Sequence, residues 1–191
     1  MIMVYSYHNN MISFRSSITQ KLLTYFFLNK TKEFYVNELA RFLNADPKNL
    51  DKKLKELEKE GIFKNEFRGK QRYYSINHQF PLLNEYEQIF NKTIGLEYQL
   101  KNILQKTKGL EEAYIFGSYA SNKLDVLSDI DLLIIGSHKS LDVEKAILPL
   151  QKTIGREINI IDITKEEFEE KKIKKDPFIK HIFSKQIIKI I

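Results

Sequence analysis

The residues best suited to chemistry lie in one short stretch, GSYASNKLDVLSDIDLLII, which begins at Gly117. Ten residues separate Ser118 from Asp129, and Asp131 comes two positions later. A glycine lets backbone approach a phosphate closely, and the serine adds a hydroxyl donor beside its own N–H group. Residues two apart on a strand share a face, and paired carboxylates completed by phosphate oxygens suit Mg²⁺. The stretch therefore predicts a site for nucleotide phosphates and a divalent metal.

Alternating strands and helices must position this site. Apolar runs predict strands at residues 112–116, 130–135, 157–163 and 186–191, and the pattern also predicts a helix at 143–154 and a charged helix at 165–175. Strands that are apolar nearly throughout indicate a sheet covered by helices. If a short helix starts near Ser118, its free N–H groups face a bound anion. A strand, a polar loop and a capping aspartate would explain the same residues without any ligand.

The stretch resembles the Gly-Ser-x10-Asp-x-Asp signature of the nucleotidyltransferase superfamily that includes DNA polymerase beta, and it is closest in size to the minimal nucleotidyltransferases of bacteria and archaea. The resemblance covers about 80 residues, from Glu111 to the C-terminus. It implies that Gly117 and Ser118 hold the phosphates of a nucleoside triphosphate. It also implies that Asp129 and Asp131 bind Mg²⁺ or Mn²⁺ and that a nucleotidyl group moves to an acceptor, which in some members is a partner protein.

One position departs from that signature. Active members usually carry a third carboxylate on a later strand, and the matching residue here is the neutral Asn159. Glu157 shares the face of Asn159 by strand alternation, whereas Asp162 should point the other way. The candidates for a third ligand are thus Glu157, Asn159 and Asp162, and the neutral amide weakens the step from binding to catalysis.

The N-terminal half has the outline of a winged helix. Residues 18–28, 36–44 and 48–60 read as three helices, and residues 62–67 and 71–76 read as two strands around a tight turn. A long, mostly helical segment follows at 80–105, with Gly95 as a candidate break. The expected architecture is a two-domain α+β or α/β chain, with a winged helix at 12–79, a connecting helix at 80–108 and a nucleotidyltransferase-fold mixed sheet at 109–191.

Charge distinguishes the two halves. Residues 1–108 hold 18 Lys and Arg against 11 Asp and Glu, whereas residues 109–191 hold 13 against 14. The basic half is therefore the better candidate for meeting double-stranded DNA. In a helix-turn-helix the second helix enters the major groove, and the wing contacts the neighbouring backbone. The predicted DNA-binding residues are Lys48, Asn49, Lys52, Lys53, Arg68, Lys70, Arg72 and Tyr73. A solvated face of balanced lysines and glutamates is the competing interpretation.

Composition restricts the possible classes of protein and its expected location. The chain has 191 residues, no cysteine, and no apolar run long enough to cross a bilayer or to form a signal peptide, so we expect a cytoplasmic protein without a membrane partner. A homodimer seam along residues 80–105 remains open. Two functions compete: a Mg²⁺-dependent nucleotidyltransferase with a DNA-binding winged helix, and a transcriptional regulator whose degenerate transferase domain only binds or senses nucleotide.

Overall fold

The computed structural model describes residues 13–125 and 127–191. The chain divides into two compact units, the first ending at Phe90 and the second running from Asn91 to Ile191. The start of the predicted winged-helix domain, residue 12, lies outside the described residues. The division falls inside the segment that we predicted as a connecting helix at 80–108.

Between Ser17 and Ile76 the first unit forms three helices and a small sheet. Its elements are α1 (Ser17–Leu28), β1 (Glu33–Tyr35), α2 (Val36–Phe42), α3 (Pro47–Lys59), β2 (Phe63–Arg68) and β3 (Gln71–Ile76). The strands are antiparallel in the order β1-β3-β2. The three helices and the hairpin were predicted, whereas β1 was not, because three residues are too few to show a strand period. The name winged helix remains our interpretation of this element order.

Helix α3 shows how local signals define these elements. The Asp46 carboxylate accepts the N–H of Asn49 at 2.9 Å, and Pro47 occupies the first turn, where a missing N–H costs nothing. Leu50, Leu54 and Leu57 recur at helical spacing and are all buried. The apolar stripe thus attaches α3 to the core of the first unit and leaves its charged face in solvent.

The predicted long helix at 80–105 is two helices, α4 (Leu83–Thr93) and α5 (Leu96–Leu104). The break at Gly95 is confirmed, since Gly95 is the N-cap of α5. None of the helices among the described residues is long and apolar enough to span a membrane.

The second unit is a mixed sheet with helices. After α5 it contains β4 (Leu110–Phe116), α6 (Gly117–Ala120), β5 (Ile130–Gly136), α7 (Ser140–Ile154), β6 (Ile158–Ile163), α8 (Lys165–Ile173), α9 (Pro177–Phe183) and β7 (Ile188–Lys189). The order is β6-β5-β4-β7, with β5 parallel to β6 and the other pairs antiparallel. The predicted mixed sheet and the short helix at Ser118 are confirmed. Residues 132–136 of the central strand β5 are all buried, which explains its continuous apolar sequence.

The C-terminal end differs from the prediction. The charged helix ends at Ile173, and Lys175 adopts a left-handed conformation (φ 54°) that stops it. Asp176 and Pro177 then start α9, a helix that we did not predict. The final strand spans two residues rather than six, because the chain reaches the sheet only at Ile188. The signal for α9 was present in the Asp-Pro pair, which also starts α3.

Because the Asp46 cap satisfies an N–H group that α3 cannot bond internally, we expect Asp46→Ala to lower the free energy of unfolding by about 1 kcal/mol. Asp51→Ala is the matched control, since it removes a carboxylate from the same helix that only pairs with Lys55 at the surface. Denaturant unfolding followed by circular dichroism should show the larger loss for Asp46→Ala. Equal losses would contradict a capping role.

Candidate functional site

The site is organised by a close approach between Gly117 and Asp131. Phe116, the last residue of β4, pairs with Asp131 on β5, and the chain turns at Gly117 with φ +72°. A Cβ atom on Gly117 would overlap Asp131 Oδ2 and lie 3.2 Å from its Cγ. Both the conformation and the space therefore require glycine here.

The turn that follows uses its carbonyl groups internally. Ser121 donates its N–H and its hydroxyl to the Gly117 carbonyl at 3.2 and 2.8 Å, and the Lys123 N–H bonds the Ser118 carbonyl at 2.8 Å. Phe116, the N-cap of α6, provides no side-chain acceptor. The N-terminal side of the turn thus offers N–H groups, and it lies next to the half-buried Ser118.

Asn159 lies beside Asp131, as the strand alignment predicted. The two residues are partners in the parallel β5–β6 pair, and Asn159 Nδ2 donates to Asp131 Oδ1 at 3.3 Å. The position at which the resemblance implies a third carboxylate is therefore occupied by a hydrogen-bond donor. Where a carboxylate would repel Asp131, the amide stabilises its charge.

The two other candidates for the third ligand lie in different places. Glu157 is exposed, and its carbonyl accepts the Ile130 N–H at 3.0 Å, so its backbone is level with Asp129 at the same end of the sheet. Asp162 is three residues further along β6, where Ser140 donates to it and His138 Nε2 lies 3.1 Å away. The structure brings Glu157 to the site and leaves Asp162 at the opposite end.

The donor chemistry at this end fits a metal shared with a nucleotide. Among residues 13–125 and 127–191, no group of three His, Cys, Asp or Glu side chains is arranged to hold a metal ion. Mg²⁺ commonly takes one or two carboxylates and completes its shell with substrate phosphates and water. Asp129 and Asp131 match that requirement, whereas a metal bound by protein ligands alone does not fit.

Three residues that the sequence analysis missed position the loop before Asp129. Arg156 Nη1 donates to the Ser128 carbonyl, immediately before Asp129. Asp125 Oδ1 accepts the Ser128 hydroxyl and the Leu127 N–H, both at 2.9 Å. These hydrogen bonds lower the pKa of the Asp125 carboxyl, and the one from the Ser128 hydroxyl contributes most. No local pattern could have found Arg156, because its contact crosses 28 residues of sequence.

The sequence also did not indicate Glu97. The Tyr119 hydroxyl, one residue after Ser118, donates to Glu97 Oε1 at 3.3 Å and links α5 to the Gly117 turn. Burial raises the pKa of the Glu97 carboxyl, while Tyr119 and Lys92 partly oppose that shift. A carboxyl of this kind next to a phosphate-binding turn is a candidate for positioning Tyr119.

In the first unit, two of the predicted DNA contacts already have protein partners. Arg68 bonds both Glu33 oxygens and lies 2.8 Å from Glu66. Because Arg68 donates to Glu33, the pKa of the Glu33 carboxyl lies below its usual range. Arg72 donates to Asn65 at 3.0 Å and to the Tyr74 hydroxyl at 3.2 Å. These contacts stabilise the hairpin and reduce the positive charge available to a nucleic acid.

Most of the other predicted contacts are exposed to solvent, and the rest bond within the protein. Lys48, Asn49, Lys52 and Lys70 are exposed, on α3 and at the hairpin turn. Lys53 pairs with Glu56. Tyr73 is half-buried and bonds Gln71 at 3.2 Å, with the Arg68 guanidinium 4.9 Å above its ring. The structure thus separates the predicted DNA-binding set into an exposed group and a group engaged within the protein.

Comparison with known proteins concerns mainly the second unit. Residues 98–188 match the family described as "Polymerase beta, Nucleotidyltransferase". A Methanocaldococcus jannaschii protein named "Putative protein adenylyltransferase MJ0435" is 40% identical over 55 residues, which are 28% of this chain and 59% of that protein. The chain thus matches 59% of that relative's length. Both matches support a polymerase beta-like nucleotidyltransferase domain at residues 98–188.

Solved structures show weaker similarity. A toxin–antitoxin crystal structure with AMP-PNP has a TM-score of 0.35 and 15% identity, covering 50% of this chain and 72% of that one. A structure of the toxin–antitoxin MntA-HpeT mutant D39ED41E has a TM-score of 0.38 and 13% identity, covering 50% of this chain and 73% of that one.

We expect Gly117→Ala to destabilise the protein by about 2 kcal/mol or more, because it combines a strained backbone with a clash against Asp131. Gly69→Ala is the control, since Gly69 has a similar φ of +62° and nothing within 4 Å of its Cβ position. Its cost should be the backbone strain alone, about 1 kcal/mol. Equal losses in denaturant unfolding would show that the Asp131 contact imposes no requirement.

Proposed function

We propose that the second unit transfers a nucleotidyl group from a nucleoside triphosphate to a hydroxyl group of an acceptor. The acceptor oxygen bonds to the α-phosphorus, the bond between the α- and β-phosphates breaks, and pyrophosphate leaves. The observation that carries this proposal is the close approach of Asp131 to the Gly117 turn, which places a carboxylate beside backbone N–H groups that suit a phosphate. ATP is the first donor to test, because the matched relative is named as an adenylyltransferase. That name also makes a protein the first acceptor to test.

Each residue has a role under this proposal. Gly117 and Ser118 bind the triphosphate through the turn, and Asp129 and Asp131 hold Mg²⁺ or Mn²⁺ against it. When bound, the cation neutralises phosphate charge that would otherwise oppose an attacking oxygen. Arg156 fixes the Ser128 carbonyl and thereby sets the direction of Asp129. Because a serine, threonine or tyrosine acceptor reacts through its oxygen, the turn must hold the phosphate in line with it.

The acceptor's proton needs a base, and Asn159 cannot take it. Glu157 is our candidate, because its backbone is level with Asp129 and its side chain is exposed to solvent. The Asn159 amide instead donates to Asp131 and orients that carboxylate. Glu157 thus provides the proton acceptor, while Asn159 orients the metal-binding aspartate.

The alternative function is nucleotide sensing by a regulator. One observation favours it: Asn159 replaces a carboxylate with a neutral side chain, which removes a hard oxygen anion from the metal site. A sensor would bind nucleotide through Gly117 and Ser118 without transferring any part of it. The two functions therefore differ in a single measurable step.

Incubation with labelled ATP, GTP, CTP or UTP, Mg²⁺ and cell extract should label an acceptor. We expect Asp129→Ala/Asp131→Ala to abolish the label and Glu157→Gln to reduce it by a factor of about 100. Asn159→Asp should raise transfer on the order of tenfold at limiting Mg²⁺, because it adds a charged ligand. Nucleotide binding by the wild type, with no more label than in the double variant, would establish the sensor and exclude transfer to the acceptors sampled.

We also propose that the first unit binds double-stranded DNA through the exposed start of α3 and the hairpin turn. Lys48, Lys52 and Lys70 are the exposed cations there, whereas Arg68 and Arg72 serve the hairpin. Binding through lysine–phosphate contacts should weaken steeply as salt rises.

We expect Lys48→Ala/Lys52→Ala/Lys70→Ala to weaken DNA binding at least tenfold and to flatten its salt dependence. Lys171→Ala/Lys172→Ala/Lys174→Ala is the control, because it removes the same charge from lysines that pair with glutamates in α8. Fluorescence anisotropy with a labelled duplex measures both. An equal loss of DNA affinity in the control would show that binding depends on the net charge of the protein and not on these three lysines.

A further inference from the structure

The second unit contains a groove that the proposed transfer does not use. It encloses about 650 Å³ between β4 and the helices α8 and α9. Tyr114, Phe168, Ile179 and Phe183 form its floor, and lysines surround its mouth. Cavities of this volume with a largely apolar lining are typical of sites for small organic molecules.

The floor is aromatic and rigid. The ring of Phe183 packs against Tyr114 at 5.2 Å and against Phe168 at 5.7 Å between centroids. Tyr114 and Phe168 are buried parts of the core, while 38% of Phe183 remains exposed. A planar aromatic ring on this floor would meet mainly the exposed part of Phe183, because Lys172 lies 4.9 Å from the centre of the Phe168 ring and Lys189 lies 5.5 Å from that of Tyr114.

The lysines at the mouth fall into two pairs. Lys171 lies 3.5 Å from Glu167, and Lys172 lies 3.2 Å from Glu169. The ammonium groups of Lys175 and Lys180 have no carboxylate or hydrogen-bond partner among the described residues. The second pair is thus the uncompensated positive charge of the groove.

The two carboxylates that line the groove pair with neither Lys175 nor Lys180 among the described residues. Glu112 accepts the Tyr114 hydroxyl and lies 3.7 Å from Lys189. Asp176 Oδ1 accepts the N–H groups of Phe178 and Ile179 as the N-cap of α9. Both acids are therefore engaged with other groups, and the groove presents an apolar floor beside two available cations.

We propose that this groove binds a small aryl carboxylate, with its ring on the Tyr114–Phe168–Phe183 floor and its acid group between Lys175 and Lys180. The apolar floor suits a plain aromatic body better than a nucleobase, which needs polar partners for its edge. The two lysines favour a single anionic group over a neutral polar one. The site is independent of the nucleotide turn and of the proposed transfer.

The test uses 2-naphthoate as the probe and neutral 2-naphthamide as its isostere. Because the chain has no tryptophan, naphthalene fluorescence and anisotropy report binding directly. We expect saturable one-site binding of 2-naphthoate to the full chain and weaker binding of 2-naphthamide. Lys175→Gln/Lys180→Gln should weaken 2-naphthoate about three- to tenfold and leave 2-naphthamide unchanged.

Lys171→Gln/Lys174→Gln is the matched control, since it removes the same charge from lysines that pair with Glu167 and Glu170. We expect its affinity for 2-naphthoate to stay within about twofold of wild type. Phe183→Leu should weaken both probes, and circular dichroism checks that each variant folds. Absence of saturable binding, equal affinity of the wild type for both probes, or equal losses in the two lysine variants would each overturn the proposal.

Discussion

The site depends on one steric constraint, the contact between the Gly117 backbone and the Asp131 carboxylate. The antiparallel register of β4 and β5 places Phe116 opposite Asp131, so the turn at Gly117 begins directly beside the Asp131 carboxylate. A residue without a Cβ avoids both the strained backbone and the overlap with that carboxylate. The parallel register of β5 and β6 then adds Asn159 on the other side of Asp131. Phosphate-binding backbone and carboxylate are thus brought together by strand pairing.

The neutral Asn159 changes the electrostatics of this arrangement. Clustered carboxylates repel one another until a cation arrives, so such a site is strained when empty. Here the amide of Asn159 hydrogen-bonds Asp131 and orients that carboxylate. We propose that this arrangement favours a nucleotide–metal complex over a free metal ion. Because Asn159 cannot accept a proton, the proposed transfer needs a base from outside β6, such as Glu157.

The features of the fold and of the site that the sequence could predict share one property, since the residues that indicate each feature lie within a few positions of one another. The Gly-Ser pair, the Asp-x-Asp spacing, the apolar strands and the break at Gly95 are all of this kind, and the resemblance added the role of Asn159. The contacts of Arg156 and of Glu97 join residues more than 20 positions apart, and the intramolecular partners of Arg68 and Arg72 depend on hairpin pairing. Charge counts therefore overstated the number of cations open to DNA. Helix α9 had an Asp-Pro signal, but the preceding run of charges obscured it.

The direction of β5 and β6 has a consequence for how this protein can be handled and how it can vary. Both strands start at the site and end at the far edge of the sheet, where Ser137 and Lys139 follow β5. Gly136 lies five positions after Asp131 along β5, about 17 Å of extended chain. A loop at that edge is thus mechanically remote from the reacting groups. The exposed Lys139 offers a place for a fluorescent label that leaves the Gly117 turn in its native geometry, whereas the buried side chain of His138, next to Asp162, makes this loop unsuitable for an insertion.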